Sequence, residues 1–290
     1  MNNPEAVFQR QAVRRHFSEA AESYLAAAAL QKEVEARLLE QADILQQPPQ
    51  RILDLGCGPG RAAGLLKKRW PKADVIAMDL ALPMLQQVPK HTRFWRPVKR
   101  VCADALQLPF KDARFDFVFS SLCLQWVHPL PQALREIRRV LKPGGLMVFS
   151  TFGPDTLIEL REAYLRTGVQ PPLSPFAAIQ QIGDALQSSG FSRSVLERDT
   201  FILHYADLRA LMRELQALGA TDARSDRPRG LMGKHRWQAL NSAYPGTDAG
   251  IASSWEVISA MAFRPEHEPA GSVDDVVARI DAARIPRRQR

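Results

Sequence analysis

Apolar positions recur along this chain with two different periods. Val13, Phe17, Ala20, Ala21 and Tyr24 share one face at helical spacing, and a second helical run covers about 26–45 before Pro48 and Pro49 stop it. From residue 51 the apolar positions gather into short runs: Ile52-Leu53-Asp54-Leu55, then 74–80, a weakly patterned stretch over 93–104, then 115–121 and 146–152. Runs that stay apolar at successive positions predict strands buried on both faces, as in a parallel sheet. The stretches between them, 62–70, the one opening at Pro83, and 134–141, carry apolar residues at three- and four-residue intervals and predict helices. The last of these runs into Lys142-Pro143-Gly144-Gly145, a helix stop. Strand and helix in alternation predict an α/β architecture.

The second half is less regular. Asp155 or Thr156 is placed to cap a helix through Leu157, Leu160, Arg161 and Tyr164. A Pro-rich loop over 170–176, a helix over about 176–188 and a strand over 195–205 follow. Two helical runs, 208–218 and 234–243, make an insertion over about 207–244 ahead of a closing strand at 254–263. The pattern divides the chain into a helical cap over 1–46, an α/β domain over 47–264, and a basic extension over 265–290 expected to be partly disordered.

The chemistry concentrates where the first strand meets its helix. Gly56, Gly58 and Gly60 alternate with Cys57 and Pro59, behind Asp54 and ahead of Arg61. Glycine lets a ligand approach the main chain, and the new helix offers free N–H groups at the same spot. A dinucleotide fingerprint needs a third glycine where Arg61 stands, and no Gly-Lys-Ser/Thr follows for a phosphate loop. The acid before the turn disfavours pyrophosphate and favours a ligand carrying an ammonium group and a sulfonium. This stretch resembles motif I of the class I S-adenosylmethionine-dependent methyltransferases. The resemblance implies a Rossmann-like seven-stranded sheet with helices on both faces and S-adenosylmethionine as cofactor. It makes Asp54, Gly56, Cys57, Gly58 and Gly60 cofactor-binding candidates. Asp79 and Leu80, ending the second strand, are placed for the ribose hydroxyls. In the same pattern Asp104 and Ala105 meet the adenine, and Ser120 ends the Phe115-Asp116-x-Val118-x-Ser120-Ser121 strand beside them.

Three further segments narrow the resemblance. Phe17, Ala20-Ala21, Tyr24 and Leu30-Gln31 form the first, and Gln125-Trp126 after the fourth strand the second. The third runs from Leu211-Met212-Arg213 to Gly219-Ala220 and on to 229–233. Together they resemble the malonyl-acyl-carrier-protein O-methyltransferases of biotin synthesis, over about residues 8–264. The resemblance implies methyl transfer to the free carboxylate of malonyl on an acidic acyl carrier protein. Four residues become candidates for the transfer site. Tyr24 is either a lid residue or a core aromatic. Trp126 walls the pocket. Gln125 offers hydrogen bonds or packs a helix end. Arg161 is a candidate cation for the substrate carboxylate. The same cap, the Phe152-to-Arg161 segment and the insertion also resemble the mitochondrial complex I assembly hydroxylase, which modifies a protein arginine. A methyltransferase for quinones or phenols would need a base, and His128, the nearest histidine, is expected at the surface.

Composition adds limits. Hydrophobic residues make up 46% and charged residues 24%, ordinary for a globular protein. Cys57, Cys102 and Cys123 form no C-x-x-C, so neither a zinc site nor a disulfide framework is expected, which suits a reducing cytoplasm. No apolar run reaches the roughly 20 residues of a membrane span, and no secretory signal pattern is present. The net charge is +8, with the excess concentrated over 61–100 and at Arg224, Arg227, Arg229, Lys234 and Arg236. These clusters are either solvated surface or a docking face for an acidic partner. No recognition motif points to nucleic acid, and a monomer is expected.

Overall fold

The computed structural model describes residues 10–92, 95–173, 175–220, 233–247 and 250–267. In chain order the elements are α1 (Arg10–Ala20), α2 (Tyr24–Ala27), α3 (Ala29–Gln41), β1 (Arg51–Leu55), α4 (Arg61–Arg69), β2 (Asp74–Asp79), α5 (Leu82–Gln87), β3 (Lys99–Cys102), β4 (Phe115–Ser120), α6 (Leu130–Val140), β5 (Leu141–Phe152), α7 (Ile158–Arg166), α8 (Ile179–Ser188), β6 (Ser192–Tyr205), α9 (Leu208–Ala217), α10 (Lys234–Ala243), β7 (Gly246–Thr247) and β8 (Gly250–Phe263). The apolar runs become one sheet in the order β3-β2-β1-β4-β5-β8-β6, with the two-residue β7 on β8. The first five strands in that order are parallel, and β8 runs antiparallel to both β5 and β6.

Successive residues of the central strands feed opposite layers. Leu53, Leu55, Met78, Val118, Met147 and Phe149 pack against Leu134 and Ile137 of α6 and Ile182 and Leu186 of α8. Ile52, Val75, Ala77, Phe117, Phe119 and Val148 pack against Leu38 of α3 and Ala63 and Leu66 of α4. Each such side chain, fully buried, stabilises the fold by roughly 1.5–3 kcal/mol. A third cluster joins α3, α7, α9 and α10 to Phe152, Trp255 and Val257, and so ties cap and insertion to one end of the sheet.

Several boundaries move. The first cap helix ends at Ala20, and a turn and the short α2 carry the chain into α3, which ends at Gln41 with a 3-10 turn over Ala42–Ile44. The Lys142-Pro143-Gly144-Gly145 stretch lies inside β5: Phe115 pairs with Leu141, Phe117 with Leu146, and the register shifts between them. Gly144 takes φ +75, which lets the strand bulge there. Neither Asp155 nor Thr156 caps α7. The buried Glu256 captures both, accepting from the Asp155 N–H at 2.7 Å while the Thr156 hydroxyl donates to its carbonyl at 2.9 Å. Arg224, Arg227 and Arg229, segment 229–232 and residues 268–290 of the extension lie outside the described residues. Among the described residues no helix is long and apolar enough to cross a membrane.

Candidate functional site

The strand order reverses between β1 and β4, where an open α/β sheet presents a crevice beyond its carboxyl ends. Two cavity lobes lie there. Tyr24, Gly56, Gly58 and Ser121 border both, so the lobes meet at a neck. The larger lobe is lined by Asp79, Leu80, Asp104, Ala105 and Trp126, under Arg10, Val13 and Phe17 of α1. The smaller is lined by Asp54, Cys57, Arg61 and, from α3, Gln31 and Glu35.

The glycine turn shapes the neck by what it lacks. Gly56 sits at φ +69, and a Cβ there would fall 2.1 Å from the Cys123 Sγ. At Gly58, φ +51, a Cβ would meet nothing within 4 Å, so the backbone faces open space. Gly60 is at φ +86 and outside the lining; a Cβ there would strike Val88. Asp79 locks the loop: its carboxylate accepts from the Gly58 N–H at 2.9 Å and the Ala81 N–H at 2.8 Å. A carboxylate has about four acceptor positions, so lone pairs remain for a diol. Asp104 accepts from the Leu106 N–H at 2.9 Å, and its other oxygen pairs with Arg10 at 2.9 Å.

The smaller lobe holds unsatisfied acceptors. Asp54, 1% exposed, leaves its Oδ2 without a partner, and so does the Gln31 Oε1. Two orphaned buried acceptors are costly unless a donor fills them. An ammonium group fits that need, and the Arg61 guanidinium in the same lobe suits a carboxylate. These residues therefore fit the methionine half of S-adenosylmethionine, and the larger lobe its adenosine half. Burial raises Asp54 well above the usual carboxylate range, with the nearby Glu35 adding to the rise. Glu35 is salt-bridged to Arg61, yet burial pushes it up to about 7. Tyr24 is raised by burial first and by Asp79 and Glu35 after it, so its phenol stays a proton donor. Burial likewise raises Cys57 well above its ordinary value and pushes Cys123 up to about 12.

The structure brings Tyr24, Trp126 and most of the cofactor candidates to the cavity, and leaves three besides Gly60 outside its lining. Ser120 is buried and donates to the Leu55 carbonyl at 2.9 Å; its neighbour Ser121 lines the neck. Gln125 is buried under the turn, donating from Nε2 to the Leu122 carbonyl at 2.7 Å with Oε1 unpartnered. Arg161 sits on α7 beside Leu160, away from both lobes. His128 is exposed at the mouth of the larger lobe. Sequence reasoning missed Arg10, Ser121, Cys123 and the set Gln31, Glu35 and Arg61. The roof is held down by Phe17 meeting Trp126 edge-on, ring centres 5.6 Å apart, and by Ala21 with Ala81 and Met84.

Comparison with known proteins agrees with this geometry. Residues 53–149 match the methyltransferase domain family. Among solved structures, the YcgJ protein of Bacillus subtilis superposes with a TM-score of 0.57 at 15% identity, over 81% of this chain and all of that one. An S-adenosylmethionine-dependent methyltransferase of Thermotoga maritima gives 0.53 at 16%, over 87% and 99%. These likenesses show the fold. The malonyl-[acyl-carrier protein] O-methyltransferase of Xylella fastidiosa is 47% identical over 98% of both chains, and that of Halorhodospira halophila 42% over 97% of both. With likeness at that level along nearly its whole length, the chain belongs to the family of malonyl-[acyl-carrier protein] O-methyltransferases.

Proposed function

We infer that this enzyme transfers a methyl group to the free carboxylate of malonyl carried on acyl carrier protein, with S-adenosylmethionine as cofactor, and so opens pimeloyl assembly for biotin. The observation that carries the acceptor is the full-length likeness to relatives named for that reaction. The geometry that suits it is the two-lobed cavity with its neck at Tyr24 and Ser121. These relatives do not favour the protein-modifying alternative.

S-adenosylmethionine supplies a methyl group made electrophilic by its sulfonium. A malonyl carboxylate, with an ordinary pKa near ~4, is already ionised at neutral pH. Such an oxygen would accept the cofactor's methyl without any general base from the chain. The chain's residues then have three tasks. Asp54, Gln31 and Arg61 hold the amino-acid end. Asp79 and Asp104 hold the ribose and adenine, with Leu80 and Ala105 beside them. Tyr24 closes the neck and Trp126 walls the larger lobe, and together they exclude water and keep oxygen and methyl in line. Such alignment contributes on the order of 7–11 kcal/mol. The cap helices α1 to α3 serve as the roof, and the insertion helices α9 and α10 brace α3 through the third apolar cluster.

The test is transfer from labelled cofactor to malonyl-acyl carrier protein, read as a mass gain of one methyl on the carrier. The gain is expected with malonyl and absent with acetyl carrier. Cofactor binding without transfer would sink the assignment of the acceptor.

A further inference from the structure

On the far side of α1 from the cavity lies a groove of about 760 Å³ between α1 and α9, lined by Arg15, His16, Glu19, Ser23, Arg213 and Gln216. Resting on the reading just given, we propose that this groove and the α1–α9–α10 face around it dock the acidic surface of the carrier protein, with Arg15 and Arg213 contacting its carboxylates.

Charge is the first support. The three helices carry seven lysines and arginines against two glutamates; Arg10 turns to Asp104 at the cavity, and the other six cations are exposed. Both glutamates already have partners: Glu214 accepts from the Tyr205 hydroxyl at 3.0 Å, and Glu19 stands 4.0 Å from Arg15. The Arg15–Glu19 pair is 65% and 69% exposed, so water weakens it and leaves Arg15 available. Arg213 makes no ion pair among the described residues. The helices form one surface, because Ser23 donates to the Ala217 carbonyl at 3.0 Å and Arg209 lies 5.8 Å over the Trp237 ring.

Position is the second support. Arg10, Val13 and Phe17 face the cavity from the same helix whose other side lines the groove. A partner seated there is held about one helix diameter, roughly 10–12 Å, from the cavity. The run over 61–100, basic in sequence, suits this role less well. There Arg61 is paired with Glu35, Arg69 with Asp43 and Lys99 with Asp74, so three of its ten lysines and arginines are engaged within the fold, and Arg61 faces the smaller lobe of the cavity.

The experiment compares the double variant Arg15→Glu/Arg213→Glu with the parent in the full chain. Two acceptors are used: malonyl-acyl carrier protein and protein-free malonyl-pantetheine. The expected result is a rise of about tenfold or more in KM for the carrier, steeper at low salt. The KM for the free thioester, the affinity for S-adenosylhomocysteine and Tm should all be unchanged. Arg15→Gln/Arg213→Gln should give a smaller rise, and Lys68→Glu/Lys72→Glu none. An unchanged KM for the carrier, or an equal rise for both acceptors, overturns the docking face while leaving the reaction intact. Failure of the parent with the malonyl carrier would overturn the reaction and this proposal with it.

Discussion

The floor and the roof of the cavity are built in opposite ways. The floor comes from one continuous stretch, β1 to the turn after β4, whose strands are buried on both faces and fixed by the parallel ladder. The roof comes from α1 to α3: α3 is rooted in the core through Leu30, Val34 and Leu38, while α1 is held to the floor through small satellite contacts such as Val13, Phe17 and Trp126. A floor set by strand register positions a ligand tightly. The α1 part of the roof, set by a few aromatic and alanine contacts, can lift with little loss of core. Cofactor binding should therefore depend chiefly on the floor, and admission of acceptor chiefly on the roof.

Gly56→Val should break this contrast most violently, because φ +69 and the Cys123 Sγ leave no room for a side chain. S-adenosylhomocysteine binding, followed by calorimetry, should be lost altogether. Asp79→Ala comes next. It removes a carboxylate that fixes the Gly58 N–H and offers oxygens to the ribose. One to two hydrogen bonds to a charged group correspond to about 2–3 kcal/mol, or roughly a hundredfold in cofactor Kd. Equal cofactor affinity in parent and variant would refute the floor's role. Trp126→Ala acts on the roof: kcat should fall about tenfold or more through loss of an aromatic contact and of dryness, while cofactor Kd moves only a few-fold. A larger change in Kd than in kcat would erase the distinction.

The mildest effect is on stability against pH. Glu35 rises from an ordinary 4.5 to about 7 in the folded chain. The folded state thus binds a proton that the unfolded state has released between those values. Stability from this group is full below about pH 4.5 and is lost as pH climbs through 7. The loss is on the order of 3 kcal/mol, several degrees in Tm for a chain of this size. Glu35→Gln should flatten the profile of Tm between pH 5 and 8, measured by thermal melting. A variant profile as steep as the parent's would place the titration elsewhere.

The floor was legible because its chemistry is consecutive in sequence. Asp54, the three glycines, Asp79 and Asp104 stand at strand ends, and strand ends meet at the crevice by topology alone. The roof was legible only in part. Tyr24 and Phe17 could be read from an amphipathic helix. That Glu35 reaches Arg61, and that Gln31 shares their lobe, depends on how α3 packs on α4, and no local pattern encodes that. Ser120 and Ser121 show the same limit at one-residue scale: alternation along β4 sends Ser120 inward and leaves Ser121 at the neck. For Gln125 the sequence left two readings open, and the packing one fits the structure, where its side chain turns back to the Leu122 carbonyl. Asp155 and Thr156 look like helix caps, but Glu256 engages them from a hundred residues away, at a sequence separation of 101 and 100.

The two thiols beside the glycine turn have a consequence for the chemoselectivity of the enzyme. A methyl sulfonium alkylates whatever strong nucleophile it meets, and a thiolate is a far better one than a carboxylate. Cys57 and Cys123 both border the cavity. With Cys123 pushed up to about 12, only about one thiol in 10⁵ is ionised at pH 7. Burial keeps Cys57 in the same neutral state. The dry walls that favour transfer to the weaker oxygen nucleophile also protect the enzyme from methylating itself.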